Sequence, residues 1–184
     1  MSATTQGRKA KVPHQLGLHA VGREATGRDR RPAVEHWLLA AADDVTRARR
    51  EWQEYGVTLL RCGRSFDAVR VPRLLVEAAA GTADRARLGR YIRAALLGGP
   101  AFLDAAEYDL YCLVPPATST EWRVPGTECL GKDAHLSVPH LGVAGAPRSS
   151  WLSEPVDADA VCVRPAVAQL VVFGRFRART QGGG

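Results

Sequence analysis

The sequence has few cysteines and few lysines, and it lacks any long apolar run. None of its four cysteines (Cys62, Cys112, Cys129 and Cys162) forms a C-x-x-C pair, which excludes a zinc knuckle and a thioredoxin-like redox motif. Each lies among apolar residues, so we expect buried free thiols. No stretch approaches the ~18 apolar residues of a membrane span, and the first residues contain no apolar signal-peptide core. We therefore expect a cytoplasmic protein without a membrane partner.

The motifs of several large enzyme classes are also missing. The chain contains no G-x-S-x-G, H-E-x-x-H, Walker A or G-x-G-x-x-G sequence, each of which places catalytic or phosphate-binding groups on a defined turn or helix. Ser65 has no neighbouring His to act as its base, so nucleophilic catalysis has no support. We expect no catalytic residue, no metal and no cofactor.

The 184 residues fit one domain, with 46% hydrophobic and 24% charged residues, as in ordinary globular proteins. The net charge is +6, but residues 1–31 carry +5, residues 32–174 carry −2, and the last ten carry +3. Basic ends bind nucleic acid through counterion release or simply remain solvated. We predict a basic disordered tail over 1–31, a single domain over 32–175, and a flexible C-terminal tail over 176–184.

Hydrophobic periodicity predicts helices in the first half, interrupted by two strands. Asp43-Asp44 suits a helix N-terminus and Gly56 a C-cap. A longer helix over 82–97 would turn Leu88 and Ile92 inward. Its outward arginines are Arg85, Arg87, Arg90 and Arg93. This stripe is a candidate basic surface, although a solvated helix face diluted by neighbouring acids is the more ordinary interpretation.

The second half is rich in strand patterns. We predict an α/β (α+β) fold in which a mixed sheet with β-hairpins is flanked by helices. The predicted hairpins pair 100–104 with 108–114 and 127–130 with 135–138. Short strands are predicted at Trp151 and over 161–163, and the chain closes with a helix over 164–177.

Two groups of side chains could bind metal. Cysteine and two histidines are zinc ligands, and two carboxylates at i and i+2 on an extended segment can hold Mg²⁺. Hydrogen-bonded surface histidines and a loop with capping roles are the competing interpretations, because no recurring ligand spacing is present. The zinc group is Cys129, Asp133, His135 and His140, and the carboxylate pair is Asp157 and Asp159.

Three segments carry a family resemblance. They read HWLLAAADD over 36–44, LLRCGRSFDAVRVP over 59–72, and ECLGKDAHLSVP over 128–139. These segments resemble a group of small actinobacterial proteins, which in turn resembles, more remotely, the N-terminal domain of bifunctional DNA primase-polymerases. The resemblance implies a primase-polymerase-like fold with a metal-binding D-x-D on one strand, a catalytic His on a later strand, and a Gly-containing hairpin that ends in Pro.

The chemistry of that family is missing here. The strand over 66–71 contains one acid, Asp67, and also Arg70, whose charge repels the cations that polymerisation needs. The strand over 108–112 contains no His, and only the feature from Gly131 to Pro139 remains. The resemblance therefore implies a degenerate scaffold that holds no pair of metals.

We consider three functions. The first is a non-catalytic module that binds DNA, another nucleic acid or a nucleotide through an Arg-rich surface and the basic tails. Its ligand-binding residues would be Arg61, Arg64, Asp67, Arg70 and Lys132. The second is a module that binds another cytosolic protein, with Trp122 and Trp151 as anchors. The third is a small enzyme that uses Cys129, His135 and His140.

Overall fold

The computed structural model describes residues 27–104, 109–142 and 149–181. Its helices are α1 (Gly27–Leu39), α2 (Val45–Tyr55), α3 (Arg73–Ala80), α4 (Arg85–Ala95), α5 (Thr118–Glu121) and α6 (Arg164–Gln181). Its strands are β1 (Val57–Arg61), β2 (Asp67–Pro72), β3 (Ala101–Asp104), β4 (Asp109–Val114), β5 (Glu128–Leu130), β6 (His135–Pro139) and β7 (Ser149–Ser153).

The strands form two sheets. A five-stranded sheet has the order β5-β2-β4-β3-β7, and a two-stranded ribbon pairs β1 with β6. Every pairing in both sheets is antiparallel. Together with the helices this is an α+β fold, as the sequence predicted.

Both faces of the large sheet are covered, so β4 is buried along its whole length. This burial explains its nearly continuous apolar sequence, Asp109-Leu-Tyr-Cys-Leu-Val, since neither face meets water. The first core lies between one face and the layer of α1, α2 and the ribbon, and includes Trp37, Trp52 and Phe102. The second core lies between the other face and α3, α4 and α6, and includes Leu88 and Ile92.

The local signals at α2 and α4 are confirmed. The side chain of Asp44 accepts a hydrogen bond from the backbone N–H of Arg47 at 3.0 Å, and Gly56 ends α2 in the left-handed conformation at φ 73°. Leu88 and Ile92 of α4 are buried, and the arginines of this helix point to solvent. The helix spans 85–95 rather than 82–97, because Asp84 caps it from outside.

One predicted hairpin is confirmed and the other is wrong. β3 pairs with β4, although the turn that we predicted at 105–107 lies outside the described residues. β5 and β6 do not pair with each other: β5 pairs with β2 in the large sheet, and β6 pairs with β1. Residues 161–163 also form no strand, and Cys162 instead packs into the second core.

The terminal helices extend beyond the domain bounds that we predicted. α1 begins at Gly27 and contains Pro32 in its interior, whereas the sequence placed the domain start at 32. α6 continues to Gln181, past the predicted domain end at 175 and into the segment expected to be a flexible tail. Among the described residues, no helix has the length and apolarity that crossing a membrane requires.

Candidate nucleic-acid interface

Two of the five predicted ligand-binding residues, Arg61 and Arg64, meet at one carboxylate. Arg64 binds Asp43 Oδ1 at 2.9 Å and donates to the backbone carbonyl of Ala42 at 2.9 Å. Arg61 lies 3.7 Å from the same Asp43 oxygen and also pairs with Asp133. These two cations are therefore largely neutralised within the molecule.

The carboxylate of Asp43 is held in its ionised form. A hydrogen bond from the His135 ring, with Nε2 at 3.1 Å from Oδ2, lowers the pKa of Asp43, and the charges of Arg64 and Arg61 act in the same direction. Lys132 is exposed on the turn next to this cluster. That turn packs against Gly63, where an added Cβ would lie 2.8 Å from the Lys132 Cα.

Arg70 lies elsewhere, on the large sheet. Its Nε donates to Asp109 Oδ2 at 2.6 Å, and its Nη1 lies 3.6 Å from Glu128 Oε2. The three side chains come from the adjacent strands β4, β2 and β5. Arg70 thus links the side chains of three adjacent strands, and little of its charge is available to an anion.

Asp67 lies inside the molecule, with 0% of its surface exposed. Its Oδ2 accepts a hydrogen bond from the backbone N–H of Ser119 at 2.9 Å, while Oδ1 has no hydrogen-bond partner among the described residues. The structure therefore brings Arg61, Arg64 and Lys132 into one neighbourhood, but it places Arg70 on the sheet and Asp67 below the surface.

Two cysteines lie near the Asp67 carboxylate. Burial raises the pKa of Cys62 to about 12, and the negative charge of Asp67 adds to the effect. Burial also raises the pKa of Cys129 to about 12, and the nearby Asp67 and Cys62 contribute to the rise. Thiols held in the neutral form are poor nucleophiles and poor metal ligands.

The histidines of the predicted zinc group have carboxylate partners instead. His135 binds Asp43, and His140 Nε2 lies 3.4 Å from Glu35 Oε1. Asp157 of the predicted carboxylate pair lies 3.4 Å from Arg30. Within the described ranges, no group of three or more His, Cys, Asp or Glu side chains is arranged to hold a metal ion.

A large share of the positive charge that has no acidic partner among the described residues lies on α4 and α6. These two helices contain eight arginines and no Asp or Glu. Among the described residues, only Arg164 of the eight is ion-paired, to Glu121. Seven guanidinium groups therefore remain without an acidic partner on these two helices, which lie on the same side of the large sheet.

Three of these arginines line a groove of about 720 Å³ between α4 and β7: Arg85, Arg90 and Arg93. One carboxylate, that of Asp84 just before α4, also lines it, so the arginines outnumber the acid by three to one. Arg85 is fixed by a hydrogen bond to the Ser150 hydroxyl. Gly89 forms part of the wall and faces the backbone of Leu152 on β7. Such a basic groove attracts phosphate groups.

The sequence indicated only half of this surface. It identified the arginines of α4 and placed Arg175 and Arg177 in the last turn of a predicted helix over 164–177, but it assigned residues 176–184, with Arg177 and Arg179, to a flexible tail. The signal that was available is the run from Arg164 to Gln181, which contains no acidic residue and continues the apolar helical spacing through Phe173 and Phe176.

The two tryptophans considered as protein anchors have internal partners. Trp151 Nε1 donates to the Pro139 carbonyl at 3.0 Å, and its ring packs edge-on against Phe102 with 5.1 Å between the ring centroids. Trp122 Nε1 donates to the Thr127 hydroxyl at 2.9 Å. Both side chains therefore serve the fold, and neither stands out as an exposed anchor.

Comparisons of the chain with protein-family models, with curated proteins and with solved structures found no match. Function therefore has to be inferred from the distribution of charge and apolar surface over the fold.

Proposed function

We propose that this chain is a non-catalytic nucleic-acid-binding domain, a degenerate relative of primase-polymerase domains, that holds phosphates in the groove between α4 and β7. The observation that carries the proposal is the set of arginines on α4 and α6 without acidic partners. Binding to nucleic acid is driven mainly by such unneutralised cations, which displace condensed counterions from the phosphates.

The absence of catalysis in this proposal is supported by the position of Asp67. In the resembled family, a carboxylate pair on this strand holds metal. Here Asp67 is buried, and Arg70 on the same strand is occupied by Asp109 and Glu128. A single buried carboxylate is a poor site for two divalent cations.

The test is the binding of fluorescently labelled single-stranded and double-stranded DNA to the full chain, measured by anisotropy between about 50 and about 200 mM salt. The full chain is used because a fragment of residues 32–174, which lacks the basic ends, would also lack the last turns of α6. We expect Arg90→Ala combined with Arg93→Ala to weaken binding about tenfold. For single-stranded DNA, the slope of log K against log salt should become shallower by roughly 1.4, since each of two lost phosphate contacts contributes about 0.7.

The matched control is Arg49→Ala combined with Arg50→Ala, which removes the same charge from exposed positions on α2. Equal losses in the two double variants would show that net charge alone drives binding, without a site in the groove. No binding by the parent chain would refute the proposal. Template-dependent nucleotide incorporation by the parent chain would refute its non-catalytic part.

A further inference from the structure

A second groove lies on the other side of α4, where this helix runs beside α6. The α4–α6 groove has a volume of about 700 Å³ and is lined by Tyr91, Ala94 and Ala95 of α4 and by Ala166, Gln169, Leu170, Val172, Phe173 and Phe176 of α6. Among the described residues that line it, Gln169 alone has a side chain with an amide or a charge. A volume of this size is typical of sites that bury several apolar groups.

The wall of the α4–α6 groove leaves large apolar side chains in water. Val172 is 62% exposed, Phe173 41% and Phe176 61%. Phe173 and Phe176 are three residues apart and so share one face of α6 with Val172 beside it, whereas Val167 and Val171 point into the second core. Clustered exposed apolar groups of this kind mark interaction surfaces, whereas scattered ones do not.

One end of the groove is basic. Arg177, in the last turns of α6, lies near Tyr91 of α4: burial raises the pKa of Tyr91, and the charge of Arg177 lowers it. Cys162, just before α6, packs against Gly99, just after α4. The two helices therefore run antiparallel. The Arg177 guanidinium lies 5.9 Å from the centre of the Phe173 ring. Arg87 is one turn before Tyr91 on the same face, and Arg179 is one turn after Phe176.

The charge at this end disfavours occupants from the same chain. A symmetric dimer through the α4–α6 groove would bring the same patch of two copies together. The described lining of that patch contains no Asp or Glu, so it would offer no acidic partner to Arg87, Arg177 and Arg179 of the other copy. Residues 1–26 carry four Lys or Arg against one Glu, so they have the wrong sign as well. An occupant that suits both the apolar wall and the basic end of the groove has apolar side chains and carboxylates.

We infer that the α4–α6 groove binds an acidic amphipathic helix of a partner protein. Apolar side chains of that helix at i, i+3, i+4 and i+7 fill the groove against Val172, Phe173 and Phe176. Asp or Glu residues at one end of the helix pair with Arg87, Arg177 and Arg179. Nucleic acid suits this groove less well, because most of its wall is aliphatic and only Tyr91 and Gln169 offer hydrogen bonds to a base edge.

The probe is a labelled helical peptide of about 14 residues, which spans roughly 21 Å, with Leu on one face and Glu at one end. Two comparison peptides have the same composition in scrambled order or Lys in place of Glu. We expect saturable binding of the Glu peptide alone, measured by fluorescence anisotropy with the full chain. Phe176→Ala should weaken it at least about tenfold, as is typical of buried aromatic anchors.

Two further variants sharpen the test. Leu74→Ala removes an apolar side chain that is 77% exposed on α3, outside the groove, and should leave peptide binding unchanged. Arg87→Glu combined with Arg179→Glu should reverse the preference from the Glu peptide to the Lys peptide. Equal binding of the Glu, Lys and scrambled peptides would overturn the inference. The inference would also be overturned if the Glu peptide did not bind and Phe176→Ala weakened the binding of single-stranded DNA about tenfold.

Discussion

At the scale of single residues, two carboxylates, Asp43 and Glu51, are held ionised by neighbouring side chains. Glu51 of α2 is an example: a hydrogen bond from the Thr58 hydroxyl at 2.7 Å lowers the pKa of Glu51, and the Arg47 guanidinium, also at 2.7 Å, lowers it further. Thr58 is buried on β1, so this contact ties α2 to the ribbon.

We expect Thr58→Val to raise the pKa of Glu51 toward its ordinary value of 4.5. The free energy of unfolding at neutral pH should fall by about 1 kcal/mol, the typical net contribution of one hydrogen bond. Because the folded pKa lies below the unfolded one, the stabilising effect is complete above about pH 4.5 and is lost as the pH falls through the folded pKa. The difference between variant and parent should therefore shrink in acid.

NMR titration of the Glu51 carboxyl carbon and denaturant unfolding at neutral pH and near pH 3 measure these two quantities. Thr46→Val, at an exposed position of the same helix, is the control and should leave the pKa of Glu51 in place. An unchanged Glu51 pKa in Thr58→Val would show that the hydroxyl does not stabilise the carboxylate.

At the scale of elements, two glycines inside helices face neighbouring backbone, but only one of them sets how closely its helix packs. An added Cβ at Gly174 of α6 would overlap the carbonyl oxygen of Leu75 on α3. An added Cβ at Gly89 of α4 would lie 3.7 Å from the carbonyl oxygen of Leu152, which is ordinary contact. The position of α6, and hence one wall of the α4–α6 groove, depends on the glycine at 174.

The two glycines should respond to alanine with opposite signs. Alanine is ordinarily about 1 kcal/mol better than glycine inside a helix, so Gly89→Ala should stabilise the protein by about 0.5–1 kcal/mol. Gly174→Ala should destabilise it by about 1–3 kcal/mol, because the overlap with backbone forces the helices apart. Denaturant unfolding measures both, and a stabilised Gly174→Ala would show that α6 lies farther from α3 than described.

At the scale of the whole molecule, the large sheet joins two cores into one cooperative unit. β2, β3 and β4 send alternate side chains into both cores, as Ala68 and Val69 do from β2. Loss of either core would expose one face of the same strands. We therefore expect the two cores to unfold together, as small single domains usually do.

The buried thiols test this cooperativity. Cys62 belongs to the first core, and Cys112 and Cys162 belong to the second. With a pKa of about 12, only about one Cys62 thiol in 10,000 is ionised at pH 8, so labelling needs unfolding. Mass spectrometry after pulses of a thiol reagent should show all three labelled at a common rate. Much faster labelling of Cys62 would mean that the first core opens independently.

The sequence predicted local structure well and long-range partners poorly. The Asp44 and Gly56 caps and the inward face of α4 were predicted because the groups that define them lie within a few residues of one another. The hairpin of β5 and β6 was wrong, since an alternating pattern does not specify which strand completes a ladder. The strand pairing is the one that lets the two hydrophobic cores cover both faces of the large sheet.

The candidate site divides in the same way. That Arg61, Arg64 and Arg70 are cationic is evident from the sequence, and so is the acid-free composition of α4 and α6. The sequence by itself determined the α+β class, the caps of α2 and the supply of arginines, because these depend on composition and near neighbours. Only the tertiary structure decided which arginines remain available, because the carboxylates that neutralise Arg61, Arg64 and Arg70 lie on elements far away along the chain.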